Sequence, residues 1–184
     1  LETCADPDIL VNNNWGPPPG DWESFEYDDW LSAVNSNMLA PIMMIKGVVG
    51  GMPERRFGRF VNITSQMVKS PFSFLGLSAG ARTGLTGAVK ALSRTVVKDN
   101  VTINNLLPER IDTERSRFMA RQHAESDGIT YEEARAAIVD SIAAGRMGQP
   151  HELGSACAFL CSATSGYISG QNLQLDGGSY RGTF

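Results

Sequence analysis

Cysteine and histidine are scarce, with three and two in 184 residues. Cys4, Cys157 and Cys161 are too few, and odd in number, for a secreted disulfide framework. No Cys or His pair stands beside Cys157 and Cys161 to complete a metal site, so no metal is expected, and both read as small apolar residues one helical turn apart. His123 and His151 lie in charged helical stretches and read as exposed helix residues. The HExxH, CxxC and Gly-x-Ser-x-Gly patterns and the Walker phosphate loop are missing, so none of the chemistries they mark is expected. Positive charge is not in excess: 16 basic against 20 acidic residues give a net charge of -4 and a pI near 5.2. Neither nucleic acid nor an anionic membrane surface is therefore an expected partner. No run of 18 apolar residues predicts a membrane span, no secretory leader is visible, and a reducing cytoplasm is the expected setting.

What is present is ordinary globular material, 42% apolar and 20% charged. A chain of this size buries enough surface to fold without disulfides or metal, and with no repeat or linker it reads as one domain over 1–184. Residues 7–13 read as a short buried strand, followed by a loop at Trp15-Gly-Pro-Pro-Pro-Gly20. Asp28 and Asp29 are placed to cap a helix over 30–52, which Pro41 should kink or deprive of one hydrogen bond. Strands are expected at 58–64, 101–107 and 171–175. Helices are expected at 75–98, 113–126, 131–144 and 151–162, the third of these opened by the capping box Thr130-Tyr-Glu-Glu133. The order β-α-β-α-β-α-α-α-β predicts an α/β fold, a parallel sheet with helices on both faces. Gly80-Ala-Arg-Thr-Gly84-Leu-Thr-Gly87 looks like a phosphate loop, but it falls inside a helix whose backbone N–H groups are already engaged. It reads instead as a close-packing surface.

Five segments in order resemble the short-chain dehydrogenase/reductase family. They are Leu10-Val-Asn-Asn-Asn-Trp15; Trp30 with Asn37; Gly58-Arg-Phe-Val-Asn-Ile-Thr-Ser65; Val101-Thr-Ile-Asn-Asn-Leu-Leu-Pro108 with Ile111-Asp-Thr113; and Gly145-Arg-Met-Gly-Gln-Pro150 through Phe159-Leu160 and Tyr167-Ile-Ser-Gly-Gln171 to Asp176-Gly-Gly178. Within the family the likeness is to 3-oxoacyl-(acyl-carrier-protein) reductase-like members. The resemblance implies the C-terminal part of a Rossmann-like doubly wound sheet, with the family's N-terminal cofactor-binding half not represented and an apolar sheet edge left to pair. It implies NAD or NADP as cofactor, hydride exchange with a small carbonyl or alcohol substrate, and a homodimer or homotetramer built through helices 30–52 and 75–98.

The resemblance also implies the site. Asn37 and Ser65 match the family's active-site Asn and Ser. The positions of its Tyr and Lys, thirteen and seventeen residues after that Ser, hold Ser78 and Arg82. Cofactor contacts are implied for Asn12, Asn13, Arg82, Pro108, Ile111 and Thr113, with Glu109 replacing a Gly and expected to crowd the nicotinamide. An alkyl hydroxyl is a far weaker acid than a phenol of pKa near 10, and a guanidinium does not give up its proton at physiological pH. Ordinary Tyr-dependent reduction should therefore be weak. Lys69 is weighed as a substitute acid against a solvated loop lysine, and Tyr167 is expected to be structural. Trp15, Trp22, Phe25 and Trp30 are expected to gather around the Pro-rich loop. A second reading is a catalytically inactive relative acting as an oligomerisation module.

Overall fold

A computed structural model describes residue 4 and residues 6–183. Four strands, β1 (Ile9–Asn13), β2 (Gly58–Ile63), β3 (Val101–Pro108) and β4 (Asn172–Leu175), form one sheet in the order β1-β2-β3-β4. Every pairing is parallel, so each connection must cross over a face of the sheet, and helices make the crossovers. β2 and β3 are buried on both faces, as strands covered by helices on either side must be. The fold is Rossmann-like α/β.

The first helical stretch is α1 (Tyr27–Val34), a π turn (Asn35–Leu39) and α2 (Ala40–Val48). Its cap is Glu26 rather than Asp28 or Asp29: the Glu26 N–H donates to the Asp29 carboxylate at 3.0 Å, which makes Asp29 the third residue of a capping box. Pro41 brings no N–H, and the π turn falls just ahead of it, where Ala40 N–H donates to Asn35 O. Gly50 and Gly51 do not stop the chain from coiling. A short 3-10 turn leads into α3 (Met52–Arg55), which ends where Arg56 turns left-handed at φ 55°. The remaining helices are α4 (Gly76–Val96), α5 (Glu114–Asp127), α6 (Tyr131–Asp140, four residues shorter than its pattern) and α7 (Pro150–Cys161).

Ile45 and Val48 of α2 and Met52 of α3, with Leu85, Val89 and Val96 of α4, bury Phe60, Val101 and Ile103 on one face of the sheet. Leu160 of α7 covers Val61 and Leu106 on the other. The small residues of α4 serve close packing within the chain. A Cβ on Gly84 would stand 2.7 Å from the Met38 sulfur, and one on Gly80 3.1 Å from the Trp30 ring. No helix among the described residues is long and apolar enough to cross a membrane.

An asparagine ladder crosses the whole sheet. Asn12 donates to Asn62 at 2.9 Å, Asn62 to Asn105 at 2.9 Å, and Asn105 to Asn172 at 2.8 Å. All three pairs are in strand register. Each inner amide is buried and satisfied from both sides, which is the condition for tolerating such groups between helices.

Candidate active site

The C-terminal ends of the strands open into a cavity of about 640 Å³. β2 delivers Thr64 and Ser65 to its floor, β3 delivers Pro108 and Glu109, and α4 brings Ser78 and Arg82 from one successive turn to the next. The loop after β1 forms one wall, fastened where Gly20 N–H donates to Phe74 O at 3.0 Å. The opposite wall starts at Ile111, which bridges to Gly148, and continues through Thr113, the N-cap of α5.

Ser65 turns the chain out of β2. Its Oγ accepts the Met67 N–H at 3.2 Å, capping a short 3-10 turn and keeping its own hydroxyl hydrogen free to donate. Arg82 is buried, 7% exposed, beneath the cavity. Its Nε donates to Ser78 Oγ at 3.2 Å, Nη1 to Ile63 O at 3.0 Å and Thr64 O at 3.1 Å, and Nη2 to Asn14 O at 3.2 Å. Burial, and next the charge of Arg115, lower its pKa to about 10. It therefore stays a cation at physiological pH and relays no proton. Glu109 keeps one carboxylate oxygen, Oε2, buried without a hydrogen-bond partner. Burial raises its pKa, against the pull of Arg110.

Ser65, Ser78, Arg82, Asn13, Pro108, Ile111 and Thr113 thus share this cavity. Asn12 and Asn37 do not: both line a neighbouring cleft of about 310 Å³, which Asn13 and Arg82 also reach. Asn12 spends its amide N–H on the ladder. Asn37 lies buried in the π turn, its Nδ2 donating to Ser36 Oγ at 2.8 Å and its Oδ1 left without a partner. Lys69 lines neither space, since its ammonium donates to Gln174 at 3.2 Å. Tyr167, expected to be structural, is fully exposed and packs on nothing that would give it such a role. The aromatic group is divided. Trp22 and Phe25 pack edge-on to Trp30, whereas Trp15 lies apart under the guanidinium of Arg115 at 5.7 Å. His151 is exposed and His123 pairs with Asp127 at 3.1 Å, both outside the cavity.

Sequence reading missed Arg115 and the asparagine ladder. α5 carries two other arginines, Arg117 and Arg121, and nothing in the sequence marks which of the three faces inward. The asparagines were visible, but their alignment depends on register, which no single strand encodes.

A nicotinamide riboside fits the cavity's residues in kind. Its carboxamide offers N–H donors of the sort that the orphaned Glu109 Oε2 lacks, and Arg82 retains one uncommitted N–H. Residues 2–180 match the family described as enoyl-(acyl carrier protein) reductase. The 3-oxoacyl-(acyl-carrier-protein) reductase FabG of Vibrio harveyi is 31% identical over 179 residues, covering 97% of this chain and 69% of the relative. Among solved structures, YwfH, an NADPH-dependent reductase involved in bacilysin biosynthesis, superposes with a TM-score of 0.91 at 28% identity, covering 98% of this chain and 70% of that one. A variant of actinorhodin polyketide ketoreductase with NADPH gives the same TM-score of 0.91 at 27% identity, over 98% and 70%. The chain spans about two thirds of the length of the curated relatives it matches.

Proposed function

Because the chain belongs to the short-chain dehydrogenase/reductase family, we propose that it is an NAD(P)-dependent oxidoreductase interconverting a small carbonyl compound and its alcohol through an atypical Ser65–Ser78–Arg82 site. The observation that carries this reading is the convergence of two hydroxyls and one buried cation on a single cavity at the strand ends. Pro108, Ile111, Thr113 and Glu109 would hold the nicotinamide end of the cofactor, which when bound supplies or accepts a hydride.

The chain's own part is electrostatic. Ser65 Oγ, its lone pair occupied by Met67 N–H, donates its hydrogen to the substrate oxygen. Ser78 Oγ, accepting from Arg82 Nε, is polarised into a better donor to the same oxygen. Negative charge growing on that oxygen is stabilised by Arg82, a cation held in place by its own burial and hydrogen bonds. Neither Arg82 nor a serine hydroxyl is an efficient acid at neutral pH, so the proton reaches the oxygen from solvent through the open cavity. This predicts slow chemistry with a weak dependence on pH between 6 and 8. The family's pairing mode supports a homodimer or homotetramer through the outer faces of α1–α2 and α4.

A second reading has its own observation. Four of the five Arg82 N–H groups are committed to the chain itself, as a purely structural tie would have them. Titration of the chain's tryptophan fluorescence with NADH and NADPH, followed by turnover on ketones, aldehydes and 3-oxoacyl thioesters, separates the two. Saturable binding with turnover lost in Ser65→Ala supports the enzyme. Absence of both sinks it and leaves the non-catalytic relative.

A further inference from the structure

Three arginines line the cavity, Arg82, Arg110 and Arg115, and of these Arg110 sits 3.8 Å from the Glu109 carboxylate whereas Arg82 and Arg115 lack an acid. Arg117, Arg121, Arg135 and Arg146 each reach a carboxylate within 3.4 Å. Among the described residues neither Arg82 nor Arg115 forms an ion pair. Both guanidiniums are turned instead toward the loop after β1, where Arg115 Nη2 donates to Pro17 O at 3.2 Å as Arg82 Nη2 does to Asn14 O.

Gly16 marks the corner where they meet. A Cβ on that residue would have as its three nearest neighbours Arg115 Nη2 at 3.7 Å, Arg82 Nη2 at 3.7 Å and Ser78 Oγ at 3.9 Å. Each Nη2 carries two hydrogens and spends one on a backbone carbonyl, so each has one left. Ser78 Oγ accepts from Arg82 and keeps its hydroxyl hydrogen. Three donors therefore border one small space, none of them matched by an acceptor there. Two cations held this close, one of them buried, raise each other's energy unless an anion lies between them. The lowered pKa of Arg82, in which Arg115 is the second cause, agrees with that strain.

We infer that the Gly16 corner binds a carboxylate, and that the substrate of this cavity is an oxo acid or hydroxy acid with an apolar body. Phe72, Phe74, Leu75 and Met119 supply the apolar walls. Glu109 and Glu114 line the same cavity. Their charges favour a singly charged carboxylate over a phosphate dianion. The inference rests on reading this cavity as the substrate site, but binding is measurable without turnover, so the two fail separately.

The test is calorimetric titration of the intact chain with hexanoate, with its neutral analogue hexanamide, and with inorganic phosphate. Hexanoate is expected to bind saturably and about tenfold or more tightly than hexanamide. Arg115→Gln should weaken hexanoate by about tenfold while leaving hexanamide unchanged. Gly16→Ala should do the same, since its methyl enters ordinary contact distance, and the backbone there is not left-handed. Arg121→Gln, on the outer side of α5, should change nothing, and circular dichroism confirms that each variant is folded. Equal binding of hexanoate and hexanamide, no hexanoate binding, or an Arg115→Gln variant that binds like the parent would each overturn the assignment. Phosphate binding more tightly than hexanoate would overturn the choice of carboxylate.

Discussion

At the scale of single residues, the proposed site holds Ser78 and Arg82 at the positions where the resemblance implies a Tyr and a Lys. That Ser65, Ser78 and Arg82 share one cavity was legible from their spacing, a strand end and then two helical positions four apart. What the sequence could not supply is what each side chain touches. Arg82 faces two carbonyls at the end of β2 and one in the loop after β1, and these contacts join segments nearly seventy residues apart. The spacing also fixes a prediction. Ser78 borders open cavity, and Arg82 beside it would lower the pKa of a phenol placed there. Ser78→Tyr with Arg82 retained is therefore expected to raise the turnover rate by about a hundredfold, the usual contribution of a positioned general acid. Steady-state kinetics on the parent's best carbonyl substrate reads it out. A rate unchanged despite intact cofactor binding would show that proton supply does not limit the reaction.

At the scale of elements, periodicity and punctuation located every strand and nearly every helix, because each carries its own signal. The errors have local causes. Glu26 took the cap expected of Asp28 or Asp29, since a capping box needs a reciprocal partner three residues on, and Asp29 provides one. The break in the first helical stretch came as a π turn ahead of Pro41. Such turns often accompany functional positions, and this one carries Asn37. The asparagine ladder belongs to pairing between elements and could not be read from any of them alone. The start of α7 yields a prediction from local charge. Glu152 accepts from Arg146 at 2.7 Å and from Gln149 N–H at 2.7 Å. The Arg146 bond first, and the backbone bond second, hold its carboxyl at about 2, below its ordinary 4.5. A carboxyl lowered in the folded state contributes stability that is complete above its unfolded pKa and lost as the folded pKa is approached. Melting temperature should therefore fall as the pH drops from about 4.5 toward 2, and Glu152→Gln should flatten that slope while leaving neutral-pH stability slightly reduced. An unchanged slope in the variant would assign the acid sensitivity to other carboxylates.

At the scale of the whole molecule, two surfaces are left apolar for different reasons. On the helical side, Leu31, Met43 and Met44 are exposed along α1 and α2, and Gly87, Ala88 and Ala91 are exposed small residues on α4, which packs against both. Gly87 has open space where a side chain would stand. On the sheet side, β1 pairs only with β2 among the described residues, and Ile9 and Val11 are exposed on it. An unpaired parallel edge recruits strands by backbone hydrogen bonding, with little side-chain specificity. A strip of small residues between helices instead lets two backbones approach and interdigitate their side chains, giving one defined partner. A stable pair needs roughly 800 Å² buried on each side, which two helices of this length can supply and a five-residue strand cannot. The chain is therefore expected to be a dimer or a tetramer by multi-angle light scattering at micromolar concentration, with association through the helices. Ala88→Glu combined with Met43→Glu, both at exposed positions, should yield a monomer with an unchanged far-ultraviolet spectrum. Val11→Lys should leave the oligomer intact and suppress only open-ended aggregation. The reverse pattern, with Val11→Lys dissociating the assembly and the helical pair leaving it whole, would place the interface on the sheet edge. A monomeric parent would remove the assembly altogether.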